Sequence, residues 1–175
     1  MKTALALGTF DGLHKGHREV LRLPDGCKKI AVIFPLPPKA LITGKPLALM
    51  LPQDKETALK DLGIDEIFTL DFEKVRTMPP EDFLRLLTDK FSPDLISCGF
   101  NYRFGKNAAG DKNLLEKFCR ERGITLKCSE PVTENGETVS STEIRRLLQS
   151  GETEKANRLL YKPFSYTAEV ISGDK

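Results

Sequence analysis

Short aliphatic runs alternating with helix-length amphipathic stretches constrain this chain more than any other feature of it. Residues 3–7 (TALAL) and 29–34 (KIAVIF) are apolar, strand-sized and bounded by glycine or proline. Strands covered on both faces read this way, because neither face can be left polar. Residues 66–70 (EIFTL), 94–98 (DLISC) and 124–128 (ITLKC) repeat the pattern. Between them, residues 15–23 predict a short helix stopped by Pro24-Asp25-Gly26, and residues 53–62 a helix stopped at Gly63. Pro80 opens a third helix with Phe83, Leu84, Leu86 and Leu87 on its apolar face, and residues 113–122 set Leu114, Leu115 and Phe118 at helical spacing before Gly123. Strands alternating with helices predict an α/β fold: a Rossmann-like parallel sheet with helices on both faces. Such sheets bind ligands beyond the carboxyl ends of their strands.

Two regions break the alternation. FPLPPKALITGKP, residues 34–46, is proline-rich and reads as a loop long enough to cover something. The tail KPFSYTAEVISGDK alternates Tyr166, Ala168 and Val170 like an edge strand. At 175 residues the chain suits one domain with a short appendage, the domain over 1–162 and the tail over 163–175.

Bulk properties exclude several functions. A net charge of +2 without blocks of like charge argues against nucleic acid as a partner. The longest apolar stretches, such as IAVIF, are too short to span a bilayer. The start MKTALALGTF has a faint likeness to a signal peptide, but its apolar run breaks at Gly8 and FDGLHKGH stands where a cleavage region belongs. The cysteines at 27, 98, 119 and 128 form no CxxC pair, so free thiols in a reducing cytoplasm are expected.

Three motifs fall at strand ends. The first is GTFDGLHKGH, which holds both of the chain's 2 histidines. Gly8, Gly12 and Gly16 permit a tight turn and close approach of a ligand. A helix starting near His14 points N–H groups and a positive dipole end above the strand, and His14 and His17, three apart, share a face there. Imidazoles donate to phosphate oxygens, more strongly when partly protonated. The second motif is GFNYRFG, residues 99–105, with Gly110-Asp111 following. Asn101 both donates and accepts, Arg103 suits phosphate, and Tyr102 and Phe104 offer rings to a flat ligand. The third is VSSTEIRRLL, residues 139–148, where Ser140 or Ser141 caps a helix whose N-terminus, with Arg145, can receive a phosphate.

Taken together, T-F-D-G-L-H-K-G-H resembles the HxGH motif of the nucleotidylyltransferase superfamily, and the flanking G-T-F-D-G is most similar to the FAD synthetase module of bacterial bifunctional riboflavin kinase/FAD synthetases. GFNYRFG and SSTEIR resemble that family's corresponding segments. The resemblance implies transfer of AMP from ATP to FMN, giving FAD and pyrophosphate, with magnesium held mainly by the ATP phosphates and water. It implies His14, His17 and Arg145 as catalytic residues. ATP would lie against Gly8, Thr9, Phe10, Asp11, Gly12, Gly16, Ser141, Thr142 and Arg145, and FMN against Asn101, Arg103 and Phe104. HKGH and SSTEIR alone equally fit an enzyme acting on pantetheine phosphate, nicotinamide mononucleotide or glycerol phosphate, and a non-catalytic flavin- or nucleotide-binding module is a third reading. GFNYRFG is what favours flavin. The chain departs from the family at FPLPP, where a P-H-P-like turn is usual. The tail resembles the start of the family's riboflavin kinase module, whose later Gly-rich residues this sequence does not contain, so no kinase activity is expected of it.

Overall fold

The computed structural model describes residues 1–45 and 48–167. The five aliphatic runs form one parallel sheet in the order β3-β2-β1-β4-β5, where β1 is Lys2–Leu7, β2 Cys27–Ile33, β3 Glu66–Thr69, β4 Leu95–Gly99 and β5 Thr125–Ser129. The order reverses at β1, which pairs with β2 on one side and β4 on the other. That reversal opens a crevice at the carboxyl ends of β1 and β4.

Side-chain size on β1 decides what packs on each face. Leu5 and Leu7 point into one core with Phe83, Leu84 and Leu87 of α5 (Pro80–Phe91) and Leu115 and Phe118 of α6 (Lys112–Glu121). Ala4 and Ala6 face the other way, where α1 (Lys15–Leu21) supplies Val20 and Leu21. On the same face α3 (Pro52–Asp61) supplies Ala58 and Leu59. Each fully buried Leu or Phe here contributes about 1.5–3 kcal/mol. Leu86, expected on the apolar face of α5, is instead 36% exposed. It lies a hundred degrees around the helix from its neighbour Leu87, past the edge of the buried stripe.

The proline-rich segment differs from the expected loop. It contains a helix, α2 (Pro38–Thr43), opened by Pro38 in the first turn and closed by Gly44 at φ 66. A four-residue α4 (Phe72–Val75) follows β3. Past β5 stands a hairpin, β6 (Thr133–Glu134) with β7 (Glu137–Thr138). Its Asn135-Gly136 turn has both residues at positive φ, 52 and 84. The Asn-Gly pair is a strong hairpin signal that the strand-and-helix reading passed over. α7 (Ser141–Gln149) and α8 (Thr153–Leu159) then pack through Ile144, Leu147, Ala156 and Leu159, joined by Leu160 and Phe164. The expected edge strand of the tail falls mostly on 168–175, outside the described residues, and 163–167 is not in a strand. All 4 cysteines are free; Cys98 and Cys119 are buried, Cys27 and Cys128 half-buried. No helix among the described residues is long and apolar enough to cross a membrane.

Candidate active site

The corner after β1 is strained and held by burial. Phe10 (φ 49) and Leu13 (φ 42) occupy the left-handed region, each at a cost of about 1–3 kcal/mol. Both are nearly inaccessible, 0% and 1% exposed, so apolar packing offsets that cost. The Phe10 ring folds back over Gly8, where a Cβ would stand 2.8 Å from it. The next turn delivers His14 to the N-cap of α1, its Nδ1 accepting from the His17 N–H at 3.3 Å. The two imidazoles stack with centroids 3.6 Å apart, and Phe10 meets His17 edge-on at 5.4 Å.

The far end of this short helix is tied to the sheet. Ser97 Oγ on β4 donates to the Val20 carbonyl at 2.7 Å. Lys127 Nζ on β5 donates to the Glu19 and Arg22 carbonyls at 2.7 and 2.8 Å. Unsatisfied C-terminal carbonyls and the negative dipole end are both met by a cation.

Electrostatics revise one expectation. Burial, and secondarily the charge of Arg145, pushes His14 down to about 4. Burial also holds His17 well below the ordinary imidazole range, helped by His14 and Lys55. Both rings are therefore neutral near pH 7 rather than partly protonated. Because Nδ1 of His14 accepts, its proton sits on Nε2, leaving a neutral donor. Nδ1 of His17 and Oγ of Ser129 are buried without a hydrogen-bond partner among the described residues. Both residues lie in the wall of one cleft.

The second wall begins at α7. Ser140 Oγ caps it by accepting from the Glu143 N–H at 3.2 Å, while the Glu143 carboxylate pairs with Arg146 instead of completing a capping box. Ser141 Oγ donates to the Asp11 carbonyl at 2.9 Å, and Arg145 reaches the Asp11 carboxylate at 2.6 Å. Asp11 also accepts from the Leu49 N–H at 2.8 Å. Burial raises the Asp11 pKa against the lowering pull of the Leu49 N–H, Arg145 and Lys55. This carboxylate, 2% exposed, fastens α7 to the histidine corner. Lys15 to Glu134, at 2.8 Å, fastens α1 to the hairpin. The C-terminal segment adds a bridge between His14 and Leu160 and a bond from the Tyr161 N–H to the Leu13 carbonyl, at 3.1 Å.

The third wall is GFNYRFG, leaving β4. Asn101 is exposed and faces the cleft. Arg103 pairs with Asp111 at 3.5 Å and is 58% exposed. Phe104 points away from solvent, 5% exposed, between Tyr102 and Phe83 at centroid distances of 5.8 and 5.6 Å. Behind this wall lies a second, apolar cavity of about 310 Å³ that Phe72, Phe83 and Phe104 help to line. It adjoins the first cleft, of about 350 Å³, through Phe34, Pro38, Tyr102 and Arg103, which line both.

The sequence model of the FAD synthetase family matches residues 1–143. The chain belongs to the FAD synthetase family. A bifunctional riboflavin kinase/FMN adenylyltransferase of Pseudomonas fluorescens is 31% identical over 97% of this chain, and the chain spans 57% of that relative's length. The crystal structure of a macrolide-efflux protein from Streptococcus pneumoniae superposes with a TM-score of 0.81 at 27% identity, covering 93% of this chain and 56% of that one. A pantoate-β-alanine ligase from Francisella tularensis shares the fold at 16% identity (TM-score 0.54, covering 90% of this chain and 78% of that one).

The family's motifs converge, with exceptions. Gly8, Thr9, Phe10, His14, Gly16 and His17 line the cleft from one side. Asn101, Arg103, Ser141 and Thr142 line it from the others. Asp11, Gly12, Arg145 and Phe104 are not in its wall. Arg145 turns to Asp11, Gly12 borders a different groove beside Leu49, and Phe104 faces the apolar cavity. Ser129 and Phe34, both in the cleft wall, carry no motif in the sequence. Ser129 is the last residue of β5, at the same sheet edge as the other motifs, and that position is its only signal in the sequence.

Proposed function

We propose that this chain is an FMN adenylyltransferase, transferring AMP from MgATP to FMN and releasing pyrophosphate. The observation that carries this reading is the joining of a polar cleft, bearing the paired histidines and the start of α7, to an aromatic cavity through shared walls. A flavin phosphate needs both kinds of surface at once, whereas pantetheine and nicotinamide phosphates have no ring system that would use so large an apolar chamber.

In this reading a phosphate oxygen of FMN attacks the α-phosphorus of ATP. A new P–O bond forms, the bond from the α-phosphorus to the bridging oxygen breaks, and pyrophosphate leaves with the electron pair. No covalent enzyme intermediate is needed, so positioning and charge stabilisation carry the rate. His14 donates from Nε2, and His17 beside it, to the α-phosphoryl and bridging oxygens. Ser141, Thr142 and the first-turn N–H groups of α7 hold the β- and γ-phosphates. Arg145 serves them from behind by holding Asp11, and Gly8, Thr9, Phe10, Gly12 and Gly16 shape the turn. Asn101 and Arg103 meet the phosphate-bearing side of FMN, while Phe104 backs the flavin ring.

Among the described residues no group of three or more His, Cys, Asp or Glu side chains could hold a metal ion. Asp11 is already committed to Arg145 and Leu49. A magnesium ion would be held mainly by the ATP phosphates and water, and would supply charge neutralisation there. The cytoplasm, with its ATP pool, is the proposed location, and a riboflavin kinase module like that of the bifunctional relatives the proposed covalent neighbour. Residues 163–175 would lead towards it from a transferase domain spanning 1–162.

Incubation with MgATP and, separately, FMN, phosphopantetheine and nicotinamide mononucleotide, with pyrophosphate and product mass as readouts, tests this. FAD is expected from FMN alone. Product from another acceptor instead would reassign the substrate, and quenching of flavin fluorescence without pyrophosphate would make the chain a binding module.

A further inference from the structure

Lys55 is the one lysine fully buried among the described residues, at 0% exposed. It lies on the inward face of α3 with Ala58 and Leu59, at the spacing of a helical stripe. An ammonium placed there is costly unless its hydrogens find acceptors. Nζ donates to the main-chain carbonyls of Phe34 and Pro35, each at 3.1 Å. Those carbonyls mark where β2 leaves the sheet and FPLPP begins.

That segment is poorly able to hold itself. Of its residues, Pro35, Pro37 and Pro38 have no N–H, so few backbone bonds can fix its path. Yet Phe34 and Pro38 form part of the wall shared by the nucleotide cleft and the aromatic cavity. The Phe34 ring meets Phe72 edge-on at 5.7 Å and packs on the core beneath α5. Lys55 itself lines neither chamber. Burial lowers its ammonium to about 8, opposed by the negative charge of Asp11, and its own charge acts on Asp11 and His17.

We infer that Lys55 is a positioning residue for the acceptor: by binding the Phe34 and Pro35 carbonyls it fixes the exit of β2 and so holds Phe34 as the partition between the two chambers. The naming of the acceptor rests on the adenylyl-transfer reading; the positioning does not. A cation is used because one Nζ satisfies two carbonyls from a helix whose other inward residues are apolar.

The test is Lys55→Met in the full chain, which keeps the side chain's volume and removes its donors. Four readouts are needed: KM for FMN, KM for ATP, kcat, and amide exchange across residues 31–41. The expected result is a rise of about tenfold or more in KM for FMN, the loss of charged hydrogen bonds to the wall. KM for ATP and kcat stay within about threefold, and exchange in 31–41 quickens. Equal rises in both KM values, or an unchanged KM for FMN, would overturn the assignment. If the wild-type chain makes no FAD, the substrate reading fails, and exchange alone decides on Lys55: unaltered protection in the variant overturns it. Should Lys55→Met show no cooperative melting, Lys55→Gln is measured instead. Its amide is neutral and one bond shorter, too short to serve both carbonyls as Nζ does. KM for FMN and exchange in 31–41 should then rise by less than expected for Met while KM for ATP holds, and wild-type values of both would overturn the assignment.

Discussion

The histidine corner and the GFNYRFG loop face each other across one cleft and are built on opposite plans. At the corner, His14 and Asp11 are 7% and 2% exposed, and α1 is tied at its far end by Ser97 and Lys127. On the loop, Asn101 is exposed and Arg103, 58% exposed, has a long ion pair with Asp111. An exposed pair of that kind contributes about 0–1 kcal/mol. The contrast separates two tasks. Groups that stabilise developing charge must be in place before reaction, since any reorganisation adds to the barrier. Groups that recognise an acceptor can wait in water and exchange their solvent for ligand.

The largest effect should come from cutting the corner's anchor. Asp11→Ala leaves Arg145 without its buried carboxylate and the Leu49 N–H without its acceptor, a loss of about 3–5 kcal/mol. Urea denaturation measures it, and a loss under about 1 kcal/mol would put the corner on a par with the loop. Next comes His17→Ala, expected to lower kcat by about 10²–10³, the range for removing one preorganised donor. Its melting temperature should fall only modestly: the Nδ1 lost strands no partner among the described residues, and the cost is the packing given up against His14 and Phe10. Near-normal turnover would show that the stacked imidazoles are structural.

Acid should discriminate the two sides as well. His14 binds its proton near 4 when folded and near 6.5 when unfolded, so between those values the unfolded chain holds more protons. Stability therefore falls as pH drops through that window and is unaffected by this group above it. Between pH 7.5 and 5 the loss is about 2 kcal/mol for His14 alone. His14→Asn keeps a good N-cap residue while removing the titration. The gap between denaturation midpoints at the two pH values should thus narrow in the variant without closing, since burial holds His17 neutral as well. An unchanged gap would show that His14 is not held neutral.

These contrasts also mark what the sequence could disclose. The five strands were legible because burial on both faces leaves a continuous aliphatic run, as in KIAVIF, and the loops at their ends necessarily hold the motifs. α8 was not, since TEKANRL buries only Ala156 and Leu159, too few for a stripe. The bond between Asp11 and Arg145 joins residues 134 apart, and no local pattern encodes such a pairing. The neutrality of the histidines depends on how deeply they are covered, which residue spacing does not carry. Lys55 reads as one more charge on a polar helix, because the periodicity of α3 marks a face without saying which exceptions it buries. Phe104 shows the reverse case, an aromatic in a functional motif whose ring belongs mainly to the core.

Phe104 also gives the gentlest way to sharpen the comparison. Gly110 pairs with it across a short bridge, and a Cβ on Gly110 would stand 2.5 Å from its ring. Gly110→Ala must push that ring aside. The ring borders the apolar cavity and has room to yield, so the stability cost should be about 1 kcal/mol, the low end for overpacking. The displaced ring would then occupy space proposed for the flavin. KM for FMN should rise several-fold while ATP binding, measured alone by calorimetry, stays as in wild type. Were ATP affinity to fall equally, the two walls would be mechanically one unit, and the division between a fixed nucleotide side and a yielding acceptor side would have to be abandoned.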